Sequence, residues 1–164
     1  MKKLRKDNKG FTLVEMIVVL VILAILAAIL IPALLGYIDE AKQKQYVLNG
    51  KSAYTASQAV LSDLYTKAKS TTNLKDTIES TDVKKRILDM ADINQCQALE
   101  IGCAKAYSSG SGSKQHEAFT VTYVHYKEDG VDIYFYNNEW TSTAPTSGDS
   151  TANPAVKYTI KSES

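Results

Sequence analysis

The chain is 164 residues long, and 45% of its residues are hydrophobic while 23% are charged. Once an apolar segment of membrane length is set aside, this length leaves room for one further domain of modest size. The net charge is +1, of which residues 1–10 account for +4 with five basic side chains and one acidic, so the rest carries −3. A body with that balance has no general attraction for polyanions, which argues against a nucleic-acid-binding protein.

The N-terminal region consists of a basic leader and a long apolar run. The run extends without interruption over residues 16–35. As a helix, residues 11–35 would be long enough to cross a hydrocarbon core of about 30 Å. The excess of Lys and Arg before the run predicts a cytoplasmic N-terminus and an external C-terminal body.

One carboxylate, Glu15, stands at the head of this apolar run. Ionised groups inside a membrane are costly, and they are usually found where a partner or a task requires them. We therefore expect Glu15 to be paired, and the alternative is a carboxylate hydrated at the headgroup boundary. A cleaved secretory signal has a core of only about 7 to 15 residues, so on general grounds an uncleaved signal anchor is the simplest interpretation.

Residues 9–15 read Lys-Gly-Phe-Thr-Leu-Val-Glu, and together with the basic leader and the apolar continuation to Pro32 they resemble the class III signal of type IV pilins and pseudopilins. In that family a membrane-embedded prepilin peptidase cuts after the glycine and methylates the new N-terminal amine. The resemblance implies cleavage between Gly10 and Phe11 and an N-methylated Phe11. It also implies that Glu15 receives the amine of a neighbouring subunit in a filament. The matched segment covers residues 9 to about 37.

Pro32 lies inside the predicted apolar helix. Proline lacks an amide hydrogen and would clash with the carbonyl of Ala28, so the sequence predicts a kink or a local opening there. Gly36 follows one turn later. The resemblance implies that this stretch unwinds when the subunit leaves the bilayer and packs into a fibre, whereas an ordinary transmembrane proline kink would have the same local geometry.

The helix is predicted to continue beyond the membrane segment to about residue 69, with a weak point at Gly50. Apolar residues recur there at spacings near three and four, which is the period of an amphipathic helix. The members of this apolar stripe are Val47, Ala53, Tyr54, Ala56, Val60, Leu61, Leu64 and Ala68. We expect this half of the helix to be half buried.

The remaining chain predicts a short helix and an antiparallel sheet. Asp82 is the predicted N-cap of a helix through about residue 93, with a buried face of Val83, Ile87, Met90 and Ala91. Alternating residues from Phe119 to Tyr123 and the run 131–136 predict a hairpin across residues 127–130, and 156–161 is a third strand candidate. Residues 108–113 and 141–154 are predicted loops.

The predicted fold class is therefore α+β, a long N-terminal helix packed by a small antiparallel sheet, which agrees with pilin architecture. Four segments are expected: a cleaved leader (1–10), a transmembrane and polymerisation segment (11–36), an amphipathic second half of the helix (37–69) and an extracellular head (70–164).

Cys96 and Cys103 are the only cysteines. An exported domain permits a disulfide, so a Cys96–Cys103 bond and two buried thiols are both left open. No metal, cofactor or enzymatic activity is expected, because the two histidines are too few for a metal cluster and no acidic run has EF-hand spacing. The residues weighed and set aside on these grounds are His116, His125, Asp129, Asp132 and Glu139.

The resemblance implies a structural subunit, a major type IV pilin that polymerises with copies of itself into a surface fibre for adhesion, twitching motility or biofilm formation. Its partners would be prepilin peptidase and a pilus assembly platform. It would reside in the bacterial cell membrane before assembly and in a cell-surface pilus afterwards. The alternatives are a pseudopilin of a type II secretion or DNA-uptake system and, from another class, a monomeric signal-anchored binding module.

Overall fold

The computed structural model describes residues 10–67, 74–106, 115–146 and 154–162. Residues 1–9 of the predicted leader, the predicted loop 108–113 and residues 147–153 of the predicted loop 141–154 lie outside these ranges. The chain forms two compact units, Met1–Lys42 and Gln43–Ser164, and the second is called the head below.

The described helices are α1 (Leu13–Lys67), α2 (Leu74–Ile78) and α3 (Thr81–Ala91). Helix α1 begins with an apolar segment that is long and apolar enough to cross a membrane, judged by length and composition. The apolar side chains of this segment are exposed, with about half or more of the surface of most of them accessible. A helix that is apolar on every face needs lipid or protein around it.

Within the head, α1 buries one face. Ala53, Ala56, Val60 and Leu61 of the predicted apolar stripe are buried, while Val47, Tyr54 and Leu64 are half-buried. The same face also buries Tyr46, Gly50 and Ser57, which the apolar pattern did not include.

The described strands form one antiparallel sheet in the order β4-β3-β2-β1-β5. Their bounds are β1 (Ala98–Cys103), β2 (Val121–Glu128), β3 (Val131–Tyr136), β4 (Glu139–Thr141) and β5 (Val156–Lys161). A short 3₁₀ helix, Gln115–Phe119, precedes β2.

The predicted hairpin is present as β2 and β3, but its turn has two residues, since residues 127 and 128 of the predicted connection belong to β2. Asp129 and Gly130 both have positive φ angles, 50° and 75°. Two consecutive positive φ angles match the right-handed twist of the flanking strands, and Asp-Gly is a favoured pair for such a turn. Asn137 and Asn138, with φ angles of 50° and 64°, make the corresponding turn between β3 and β4.

One face of the sheet contributes to the hydrophobic core. Leu99 and Ile101 of β1, Val124 and Tyr126 of β2 and Tyr158 of β5 are almost completely buried. They pack in the same core as the buried residues of α1 in the head and Ile78 and Ile87 of α2 and α3. The predicted α+β class, a long helix with a small antiparallel sheet, is confirmed.

Several local predictions were wrong. Strands β1 and β4 were not predicted, and α3 is preceded by Ser80 at the N-cap position and not by Asp82. Met90 was predicted to be buried, but 51% of its surface is exposed, whereas Leu88 packs against the core. Helix α1 passes through Gly50 without interruption.

Candidate assembly segment

The predicted cleavage site lies in non-helical backbone immediately before α1. Residues 10–12 have no regular secondary structure, and both Gly10 and Phe11 are exposed, Phe11 to 79%. A Cβ atom placed on Gly10 would have no other atom within 4 Å. A protease must approach the backbone closely, and the Gly10–Phe11 peptide bond lies in exposed, non-helical backbone beside a residue without a side chain.

Glu15 is bound by Thr12 within its own chain. The Thr12 backbone N–H donates to Glu15 Oε2 over 2.8 Å, and the Thr12 hydroxyl donates to the same oxygen over 2.7 Å. In return the Glu15 backbone N–H donates to Thr12 Oγ1 over 3.3 Å. This reciprocal arrangement is a capping box, which satisfies amide hydrogens that the first turn of a helix would otherwise leave unpaired.

The capping box changes the interpretation of Glu15 in the unassembled chain. The sequence predicts a paired carboxylate, and in the structure Glu15 has a hydrogen-bond partner three residues away in its own chain. Both hydrogen bonds from Thr12 end on Oε2, so among the residues described around this helix start, Oε1 is left for another donor. Thr12 was missed as a functional residue, although the spacing Thr-x-x-Glu was visible in the sequence.

Pro32 lies inside α1, and the segment on both sides of it is helical. A Cβ atom on Gly36 would meet no atom within 4 Å. Unwinding at Pro32 therefore stays a prediction about the assembled state.

In the head, the β2–β3 hairpin is hydrogen-bonded to α1. The Tyr46 hydroxyl donates to Asp129 Oδ2 over 3.0 Å, and Asn49 Nδ2 donates to Glu128 Oε2 over 2.7 Å. Glu128 is only 5% exposed and also accepts a hydrogen bond from the Tyr126 hydroxyl. Desolvation, followed by the bond to Glu128, raises the pKa of Tyr126 well above its ordinary value, so this tyrosine remains a hydrogen-bond donor at neutral pH.

Both cysteines are free thiols in the structure. Cys96 and Cys103 are buried, and the Cys96 thiol donates to the Ala98 carbonyl over 3.2 Å. Burial raises the pKa of Cys96 to about 11 and that of Cys103 to about 12. Of the two alternatives that the sequence left open, the structure has the pair of buried thiols.

The acidic and histidine residues weighed in the sequence analysis do not converge on a metal site. His125 Nε2 lies 2.7 Å from Asp132 Oδ1 and its ring stacks on Tyr134, whereas Asp129 is bound to Tyr46. Within the described residues, no group of three His, Cys, Asp or Glu side chains could hold a metal ion.

Comparison with known proteins identifies a described motif in the N-terminal segment. Residues 5–31 match the model of the prokaryotic N-terminal methylation motif. The type IV major pilin protein PilA of Myxococcus xanthus is 41% identical over 56 residues, which is 34% of this chain and 26% of the relative. The type IV wide pilus major component PilA4 of Thermus thermophilus is 40% identical over 73 residues, 36% of this chain and 55% of the relative.

A secretion protein is also similar to part of the chain. The type II secretion system core protein G of Vibrio cholerae is 53% identical over 47 residues, which cover 29% of this chain and 32% of the relative. The chain thus spans between about a quarter and about half of the length of these relatives. No solved structure matches the chain.

The N-terminal segment therefore combines an exposed glycine, a capped helix start and a helix that is long and apolar enough to cross a membrane. The chain carries the prokaryotic N-terminal methylation motif, and over part of its length it is similar to type IV major pilins and to a type II secretion core protein.

Proposed function

We propose that this chain is the major structural subunit of a type IV pilus. The observation that carries the proposal is the apolar first segment of α1, whose single carboxylate, Glu15, is held at the helix start shortly after an accessible glycine. Such a helix is costly in water, so it is covered by lipid before assembly and by copies of itself afterwards. Two of the similar proteins are major pilus components, which supports a pilus over other assemblies.

Cleavage after Gly10 would convert the amide nitrogen of Phe11 into an amine, and methylation would keep its positive charge. In the filament this amine would meet the Glu15 carboxylate of an adjacent subunit. Thr12 already holds Oε2, so the carboxylate is oriented before the partner arrives. Preorganisation of this kind lowers the entropy lost when the two charges meet.

Such a pair would set the axial register of neighbouring subunits more than it would stabilise the filament. Desolvation of both charges offsets much of their attraction, whereas a subunit out of register would leave a charge without a partner in an apolar core. Glu15 would therefore select one position of each subunit relative to the next.

Two variants separate pairing from capping. Glu15→Gln removes the charge, whereas Thr12→Val removes the hydroxyl contacts and leaves the charge and the Thr12 backbone position intact. We expect Glu15→Gln, as sole subunit, to stay in the membrane but to be lost from fibres, while Thr12→Val assembles. Asp39→Asn serves as the matched control, because it also neutralises an exposed acidic residue of α1 and lies outside the capping box.

The measurement is the amount of subunit in sheared surface fibres relative to the membrane fraction. Equal loss of assembly in Glu15→Gln and Thr12→Val would mean that capping alone explains the role of Glu15, and normal fibre yield from Glu15→Gln would contradict the proposal.

A pseudopilin of a type II secretion system is the second candidate function, favoured by the 53% identity to core protein G over 47 residues. The two functions differ in their product. Long surface fibres composed mainly of this chain support the pilin, whereas loss of protein secretion on deletion, without loss of fibres, supports the pseudopilin.

A further inference from the structure

The two buried thiols lie at opposite ends of strand β1. Cys103 is the last residue of β1 and pairs with Val156 at the start of β5. At the other end, Leu99 pairs with Lys161, and the charge of Lys161 acts on the Cys96 thiol. The length of β1 therefore separates the two sulfur atoms.

The separation is too large for a disulfide. Five residue steps of about 3.3 Å in an extended strand place the Cα atoms of Ala98 and Cys103 about 16 Å apart. The two steps from Ala98 back to Cys96 span at most about 7 Å. The Cα atoms of the two cysteines are therefore at least about 9 Å apart, and a disulfide requires a distance below about 7 Å.

The unfolded chain has no such restriction. Only residues 97–102 separate the two cysteines, and a short flexible loop closes at low entropic cost. We propose that the folded head and an intramolecular Cys96–Cys103 disulfide exclude each other. If the cysteines are oxidised before the chain folds, the disulfide prevents folding of the head. If the head folds first, burial protects both thiols from oxidation.

The oxidant is a disulfide such as oxidised glutathione. The thiolate of one cysteine attacks a sulfur of this disulfide, which forms a mixed disulfide and releases one glutathione thiolate. The thiolate of the second cysteine then attacks the first cysteine sulfur and releases the second glutathione. The two cysteines lose two electrons and two protons, and the oxidant becomes two thiols.

In the folded head both steps are suppressed. Cys96 is 2% exposed and Cys103 is fully buried, so an oxidant cannot approach either sulfur without local opening. The pKa of Cys96 rises from an ordinary 9.0 to about 11, which lowers its thiolate fraction at neutral pH by about a hundredfold.

The loss of β1 would remove an interior strand of the sheet. Strand β1 pairs with both β2 and β5, and within the described residues β1 is the only strand neighbour of β5. Leu99 and Ile101 of β1 are fully buried in the core. A ring closed between the two cysteines forces β1 out of its extended conformation, so it releases β5 and uncovers this part of the core.

The inference rests on the geometry of the head and stands apart from the proposed pilus function. If the head is external, as proposed, it meets oxidising conditions before or during folding. Whether the head folds or the cysteines are oxidised first then determines whether the subunit reaches its folded state.

The test uses the full chain in detergent micelles. The protein is unfolded in urea, treated with oxidised glutathione, freed of oxidant and diluted into refolding buffer, and protease resistance of the head is followed with and without dithiothreitol. Mass spectrometry identifies the species, because an intramolecular disulfide lowers the mass by two hydrogen atoms and a glutathione adduct raises it. The double variant C96S/C103A is the control, since it cannot form either product.

We expect the intramolecular disulfide to form in the unfolded chain. After dilution, the oxidised chain should yield at least about tenfold less protease-resistant head than the reduced chain, and dithiothreitol should restore the yield. The control variant should refold equally in both conditions. The thiols of the folded wild type should be alkylated at least about a hundredfold more slowly than those of the unfolded chain. The proposal is overturned if the chain with a mapped Cys96–Cys103 bond regains protection, or if that bond does not form in the unfolded chain.

Discussion

Gly50 in α1 allows Trp140 of β4 to pack closely against the helix. A Cβ atom at position 50 would lie 2.7 Å from Trp140 Cζ3 and 3.3 Å from Cη2, both closer than ordinary contact. The indole in turn packs on Phe135, with ring centroids 5.0 Å apart. Replacing Gly50 with alanine therefore forces the indole to move.

The expected effect of Gly50→Ala is the difference of two terms. Alanine favours the helix over glycine by about 1 kcal/mol. The overlap with Trp140 falls in the range of about 1–3 kcal/mol for overpacking, and we take about 2 kcal/mol. The substitution should lower the free energy of unfolding of the head by about 1 kcal/mol. In a Trp140→Ala background the overlap is absent, so Gly50→Ala should raise it by about 1 kcal/mol.

The assay is pulse proteolysis of the full chain in detergent across a urea series, which does not depend on the fluorescence of Trp140. Four proteins complete the cycle: the wild type, both single variants and the double variant. Ser52→Ala, at an exposed neighbouring position, is the control and should have the same effect in both backgrounds. If Gly50→Ala stabilises the head in both backgrounds, the close contact with Trp140 is refuted.

Three further predictions concern single side chains. Thr12→Val should speed amide exchange in the first turn of α1 about fivefold, because a lost cap costs about 1 kcal/mol, and unchanged exchange would contradict the capping box. Hydrogen bonds from Lys67 and Arg86 lower the pKa of Asp63 below its ordinary 3.8, so this carboxylate stabilises the head fully above that value and the effect is lost as the pH falls through the lowered pKa. The urea midpoint of Asp63→Asn should therefore lie below that of the wild type at about pH 7 and meet it at about pH 2, and an equal gap at both would oppose this account. Ser57→Ala should raise the free energy of unfolding by about 1 kcal/mol, because the buried Ser57 hydroxyl has no hydrogen-bond partner in the described part of the head; a loss of stability would disagree.

Local patterns in the sequence were sufficient to predict the long helix and the hairpin. The apolar run of α1 is continuous, and the Asp129-Gly130 turn needs two positive φ angles that this pair adopts readily. The capping box of Thr12 and Glu15 is equally local, so it was predictable from the spacing. Glu15 is thus both a charge in an apolar segment and the third residue of a helix cap.

Strand β1 could not be predicted in the same way. Its sequence, Ala-Leu-Glu-Ile-Gly-Cys, contains a single β-branched residue, Ile101, and includes Gly102, which weakens a strand. Its conformation is imposed by long-range pairing with β2 and β5. Whether Cys96 and Cys103 form a disulfide depends on the conformation of β1, so the sequence alone could not predict it.

The central claim is that the Glu15 carboxylate receives the freed amine of Phe11 from an adjacent subunit. Cryo-electron microscopy of purified fibres, at a resolution that shows side chains, tests it directly. We predict a chain that begins at Phe11, with its nitrogen within about 4 Å of a carboxylate oxygen of Glu15 in the next subunit. A chain that still begins at Met1, or a Glu15 that contacts only Thr12 of its own chain, would contradict the claim.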